Sequence, residues 1–350
     1  MSRIRGFEAK IQKELLQTHR NGWDENCEKK SEGQSCYTKD DAEKQQIAEL
    51  VSKLPRLDKI FTVHRKIGEG TFSSVYLGSL RAHSPLPDAS KRWFAIKHLV
   101  PTAHPARIEH ELRCLRDIGG KNNVIGVDLC LRNLDTIVFV MPYIPHRKFS
   151  EYVGEMDAVE LAAYMRALLI ALRHVHSFGV IHRDVKPSNF LYDRENRRLG
   201  LHGSSFLSYT IREVASKRLY RAHEPPAPQT LADLLGTGPL QRAAEALGRR
   251  LVTSSPRRGL CLRKLCARLR GPPPPAAPGA KACALCRLPR PHCLCRDEAV
   301  PAAEWREGAG VAGFPDCAFA LAARLLEPDP RRRPSAAQAL AHPFLAEARP

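Results

Sequence analysis

The stretch His-Arg-Asp-Val-Lys-Pro-Ser-Asn-Phe, His182 to Phe190, sets a carboxylate, a cation and an amide in one short loop. Asp184 can accept the proton of an attacking hydroxyl. Lys186, two residues on, can neutralise a phosphate in transit, and Asn189, five residues after the aspartate, can ligate a metal. The chemistry served by such a set is transfer of a phosphoryl group. Upstream, Lys66 to Tyr76 (Lys-Ile-Gly-Glu-Gly-Thr-Phe-Ser-Ser-Val-Tyr) places Gly68 and Gly70 two apart on a strand-turn-strand. There, backbone amides close on phosphates without a Cβ in the way. Lys97 stands in Phe-Ala-Ile-Lys-His-Leu with Ala95 on the same strand face, and together with Val75 these make an apolar lid for a flat ring beside a cation. Glycine-rich hairpins and strand lysines are common. A lysine flanked by Ile96 and Leu99, however, is a costly place for a merely solvated charge, and it asks for a carboxylate. Glu111 in Glu-His-Glu-Leu-Arg-Cys-Leu fits. Glu109 is the alternative, although Ile108, Leu112 and Leu115 set the buried face and leave Glu111 adjacent to it.

The elements that hold these residues follow from periodicity. Ile47, Leu50, Val51 and Leu54 share one helical face after Asp40 and Asp41, and Pro55 stops that helix, which reads as a docking helix. From Phe61 to Val100 short alternating runs separated by turn residues predict an antiparallel sheet. Residues 107–117 read as a helix, Ile137 to Ile144 as a buried strand, and Ala158 to Ser177 as a long helix with Leu161, Met165, Leu168, Leu172 and Val175 on one face. Phe319 to Leu326 is helical, and Ser335 with Gln338 three residues later predicts a capping box for a last helix. The expected class is α+β, with a β-rich part preceding an α-rich one. Three regions are expected: an extension over 1–58, a β-rich lobe over 59–145, and an α-rich lobe over 146–345 carrying a Pro- and Cys-rich insert at about 255–305, with prolines at 272–275 as linker.

Taken in order, these motifs resemble eukaryotic protein kinases of the serine/threonine class, and within them the cell-division-cycle-seven kinase family. The stretches Gly68 to Tyr76, Pro101 to Leu115, Met141 to His146, His182 to Tyr192, Leu262 to Gly271 and His342 to Leu345 carry the likeness. The resemblance implies a bilobal kinase fold that transfers the γ-phosphate of ATP to serine or threonine, with Asp184 as base and Lys186 beside it. It implies that Ile67, Gly68, Glu69 and Gly70 cover the nucleotide, that Val75 and Ala95 enclose the adenine with Met141 as gatekeeper, and that Lys97 and Glu111 clamp the phosphates. Asn189 is the magnesium ligand. A Dbf-type regulatory subunit, protein substrates in the replicative helicase complex and a nuclear location are also implied.

The likeness then breaks. Such kinases place Asp-Phe-Gly about a dozen residues beyond the asparagine, and its aspartate holds the magnesium bridging the phosphates. Here Gly203-Ser204-Ser205 occupies that place, and no aspartate occurs between Asp193 and Asp233. The activation segment and the central helix of the carboxyl lobe are missing too, so that lobe is expected to be incomplete. Arg221 to Glu224 resembles the Ala-Pro-Glu end of an activation segment, a likeness that would pair Glu224 with Arg333, while the prolines around it equally make an ordinary turn.

Composition bounds the rest. Of the 350 residues 43% are hydrophobic, enough for real cores. No apolar run approaches the roughly 18 residues of a membrane span, and the first residues lack the apolar stretch of a signal peptide, which places synthesis in the cytosol or nucleus. A formal charge of +18 favours acidic partners, but no aromatic residues interleave with the basic ones to stack on bases, so direct nucleic-acid binding is not expected. Cys283, Cys286, His292, Cys293 and Cys295 have spacing compatible with a small zinc knot. One pair is C-x-C and all lie in one short segment, so reduced thiols in an insert are the competing reading.

Overall fold

The computed structural model describes residues 39–70, 73–99, 105–182, 185–196, 198–201, 207–208, 232, 234–253, 256–270, 282–283, 294 and 313–346. The chain divides into two compact units, Met1–Pro145 and His146–Pro350.

In the first unit, helix α1 (Lys39–Lys53) carries Asp40 and Asp41 in its first turn and Lys53 in its last, each charge matched to the helix dipole. Pro55 does more than end it. It occupies the first turn of a second helix, α2 (Pro55–Ile60), where its missing N–H costs nothing. Five antiparallel strands follow: β1 (Phe61–Gly70), β2 (Ser73–Leu80), β3 (Trp93–Leu99), β4 (Leu129–Asn133) and β5 (Thr136–Pro142), in spatial order β1-β2-β3-β5-β4. Helix α3 (Pro105–Asp117) lies in sequence between β3 and β4. Alternation along the strands sends Tyr76, Phe94, Ile96, Leu131, Val138 and Val140 into one core, which Leu50, Leu54 and Leu57 of α1 and α2 complete. Each fully buried leucine or phenylalanine there contributes about 1.5–3 kcal/mol. The apolar face of α1 therefore docks onto the chain's own sheet.

The second unit is built on α5 (Ala158–Ser177), preceded by the single turn α4 (Phe149–Tyr152). Asp157 caps α5 by accepting the Glu160 amide at 2.7 Å. One side of α5 meets an aromatic cluster, with Tyr164 edge-on to Phe190 and Tyr192. The other side, through Leu161, Met165 and Leu172, packs with α8 (Asp316–Leu325), α9 (Ala336–Leu340) and α10 (Pro343–Ala346). The capping box of Ser335 and Gln338 is present at the start of α9. Helices α6 (Thr237–Ala246) and α7 (Leu262–Arg270) come between, and β7 (Phe190–Asp193) pairs with β8 (Arg198–Leu201) as a hairpin. A minimal pair joins β6 (Val180–Ile181) to β9 (Leu207–Ser208). The class is α+β. The proline run at 272–275 lies outside the described residues. Among the described residues no helix is long and apolar enough to cross a membrane.

Candidate functional site

The strand register of the first unit brings the expected nucleotide residues onto one sheet face. Val75 stands opposite Lys97 across β2 and β3, and Ala95 stands opposite Met141 across β3 and β5. Directly opposed residues point the same way, so Val75, Ala95, Lys97 and Met141 share the face turned away from α1 and α2. The Lys97 Nζ lies 2.5 Å from Glu111 Oε1. Both residues are buried, at 8% and 7% exposure. Glu111 is on the buried face of α3 with Cys114 and Leu115, not merely beside it, whereas Glu109 is exposed and reaches Arg113 at 3.4 Å. Burial pushes the neighbouring Cys114 thiol up to about 11, helped by Asp117 and Glu111, so it stays protonated and supplies no nucleophile.

The glycines of the hairpin are not required by internal packing. A Cβ on Gly68 would meet only Val75 at 3.7 Å, and one on Gly70 only Ser73 at the same distance, both ordinary contacts. By contrast a Cβ on Gly78, in the middle of β2, would fall 2.4 Å from the Ile96 Cδ1. Gly78 is explained by the core, while internal packing would admit a side chain at Gly68 and Gly70. Ile67 is half-buried and Glu69 is exposed, paired with Lys66 at 3.0 Å. The Lys66 amide also donates to Glu43 of α1 at 2.5 Å, a tether the sequence pattern does not announce because the two residues are 23 apart.

The second unit holds the loop residues. Asp184, together with Arg183, lies outside the described residues. His182 is 1% exposed and anchors the loop's start, Lys186 is exposed, and Asn189 is buried at the end of a 3-10 turn, Pro187–Asn189. Asp193, the last aspartate before the gap, is already used. Its two oxygens accept from the Asn196 amide (3.1 Å) and side chain (2.9 Å), closing the β7–β8 turn. It does not stand in for the missing metal ligand. Arg194 was not signalled by spacing. It grips Glu160 with two bonds of 2.7 and 2.9 Å and Glu155 with one of 2.5 Å, fastening the hairpin to the start of α5 across 34 residues of sequence.

The donor sets can be tested against the groups they would hold. The first unit fits a nucleotide: an apolar face for a ring, a fixed cation and a hairpin whose glycines carry no side chain at its tip. For the bridging magnesium the second offers the neutral Asn189, and the next aspartate in the sequence, Asp193, is committed to its own turn. Arg333 spends its guanidinium on the carbonyls of Glu327 (2.7 Å) and Pro328 (3.4 Å), while Glu224 lies outside the described residues. Of the zinc candidates Cys283 is half-buried, and Cys286, His292, Cys293 and Cys295 lie outside the described residues. Among the described residues no group of three or more His, Cys, Asp or Glu side chains is placed to hold a metal.

Comparison with known proteins agrees with this geometry. Residues 61–224 match the protein kinase domain family. The non-specific serine/threonine protein kinase Cdc7 of Drosophila melanogaster is 54% identical over 151 residues, covering 43% of this chain and 22% of that protein. The cell division cycle 7-related protein kinases of Mus musculus and Homo sapiens are each 45% identical over 158 residues, covering 45% of this chain and 27% of theirs. The matched stretch thus spans about a quarter of these relatives.

Proposed function

We propose that this chain, which carries a protein kinase domain of the Cdc7 serine/threonine kind, binds ATP on its amino-terminal unit but transfers the γ-phosphate to serine or threonine of proteins only slowly. The observation that carries this reading is the buried Lys97–Glu111 pair. A buried ion pair is a poor stabiliser, since apolar residues of the same volume do as well or better, so its presence argues for chemistry on that face. Val75 and Ala95 would enclose the adenine with Met141 behind it, and Lys97, held by Glu111, would meet the phosphates beside the amides of Gly68 and Gly70. ATP supplies the transferable phosphoryl group. Asp184 takes the proton of the attacking hydroxyl, and Lys186 offsets charge on the group in transit.

Slowness follows from the absence of any aspartate from residue 194 to 232, with Asp193 committed to its own turn. No step through magnesium is assigned. The reading extends to protein substrates of the replicative helicase complex, a Dbf-type regulatory subunit, nuclear location and no direct contact with nucleic acid. The missing carboxylate also favours a second reading, a pseudokinase that binds the regulatory subunit and turns nothing over. A radiolabel transfer assay with that subunit separates the two. Weak incorporation that disappears in Asp184→Asn supports the kinase, and incorporation equal in both proteins removes it. Co-purification with the regulatory subunit without transfer leaves the binding module.

A further inference from the structure

Away from the nucleotide and loop residues in sequence, a concavity of about 230 Å³ opens in the second unit between α8 and α9. Its floor is Leu321, Pro334 and Ala339, and its polar groups are Arg324, Arg332, Gln338 and His342. All four polar side chains present donors. The Phe344 amide donates to His342 Nδ1 at 3.3 Å, so Nδ1 carries no proton and the buried imidazole bears its N–H on Nε2. Gln338 Oε1 is taken by the Ser335 amide at 2.8 Å, which leaves its NH₂. Among the described residues the Arg324 and Arg332 guanidiniums make no ion pair or hydrogen bond. The acids nearby in sequence are occupied elsewhere: Asp329 accepts from Arg331 through both oxygens at 3.2 Å, and Glu327 accepts the Asp329 amide at 3.1 Å.

We propose that this hollow is a binding site for a phosphate monoester dianion. Two guanidiniums supply two positive charges for its two negative ones, and their planar forks match phosphate oxygens in bidentate fashion. The His342 and Gln338 N–H groups satisfy oxygens that the arginines leave over, and the apolar floor has room for the atoms bearing the phosphate. The position of Arg324 in the last turn of α8 is favourable to the helix dipole without any ligand. Asp329, locked to Arg331, also feels the charge of Arg332, but it is not part of the lining, in which every polar group donates and no carboxylate stands. The site is built from second-unit residues alone, and it stands whether or not the chain transfers phosphate.

The test uses the full chain at fixed ionic strength and follows anisotropy of a fluorescent phosphoserine pentapeptide, with the unphosphorylated peptide and inorganic phosphate as the other arms. Saturable binding of the phosphopeptide, competition by inorganic phosphate and no binding of the unphosphorylated peptide are expected. Charged hydrogen bonds contribute enough that R324A/R332A should weaken binding about tenfold or more, while Arg249→Ala changes nothing. Both variants alter exposed side chains, and an unchanged melting temperature shows that each is folded. A phosphopeptide that binds more tightly than inorganic phosphate identifies a phosphorylated polypeptide as the source. Equal affinity identifies the free anion, and the site stands in either case. Equal binding of the unphosphorylated peptide, or full affinity in R324A/R332A, overturns it.

Discussion

The two units of this chain treat their charged groups differently. In the sheet unit the reactive cation is closed on its carboxylate at 2.5 Å and both are buried. In the helical unit the acids that the structure describes hold the scaffold together. Asp193 closes a hairpin turn, Glu160 anchors Arg194, and Asp329 is locked to Arg331. The first unit holds a buried cation and carboxylate of the kind the proposed nucleotide site uses, and among the described residues of the second no group of three or more His, Cys, Asp or Glu is placed to hold a metal. On the proposed function, turnover is lost before binding when the departure from the family pattern falls in the second half.

The largest effect that can break this contrast is on rate. Single parts of a phosphoryl-transfer site are worth about 10³ to 10⁵ in rate, or roughly 4–7 kcal/mol of barrier. If only the carboxylate were missing, Gly203→Asp would recover most of that. Little recovery is expected in a radiolabel assay, because positioning depends as well on an activation segment and a central helix that the family pattern has and this sequence does not match. Grafting a complete family segment between Leu201 and Gln229 should restore transfer, and Asp184→Asn should remove it again. Strong activity from the single substitution would show that the second unit positions its site without those elements.

The next effect concerns the pair itself. Lys97→Met leaves Glu111 buried without its cation and should cost about 3–5 kcal/mol in urea denaturation. Lys97→Met combined with Glu111→Leu should return stability close to the parent while leaving nucleotide binding lost. A double variant as unstable as the single one would mean that the pair serves folding. A smaller effect tests the reach of the first unit's core. Leu54 is 1% exposed beneath the sheet, so Leu54→Ala should cost about 2–5 kcal/mol. A change below about 0.5 kcal/mol, the ordinary range of surface substitutions, would show that α1 and α2 do not belong to that core.

How much of this was legible in the sequence depended on range. Ala158 to Ser177 was readable to the residue because its apolar period recurs from Leu161 to Val175 without a break. The Lys97–Glu111 pair was readable because an apolar strand flanks the lysine and the helix face offers only two carboxylates. The destination of α1 was not, since an apolar face announces that it will be covered without saying by what, and here its own sheet covers it. Pro55 was read as a stop because proline ends helices, yet it starts one equally well at the first turn. Arg194 with Glu160 and Glu43 with the Lys66 amide link residues far apart, and no local pattern marks such partners. Arg333 bonds two nearby backbone carbonyls, and its suggested partner Glu224 lies outside the described residues.

The claim that the nucleotide half persists without its metal half is tested most directly by the melting temperature of the full chain with ATP, with and without magnesium. ATP alone should raise it modestly, since a ligand at a hundred times its Kd adds only about 2.7 kcal/mol. Magnesium should change that shift little, and Lys97→Met should abolish it. A shift that appears only with magnesium, or none at all with ATP, would contradict the account.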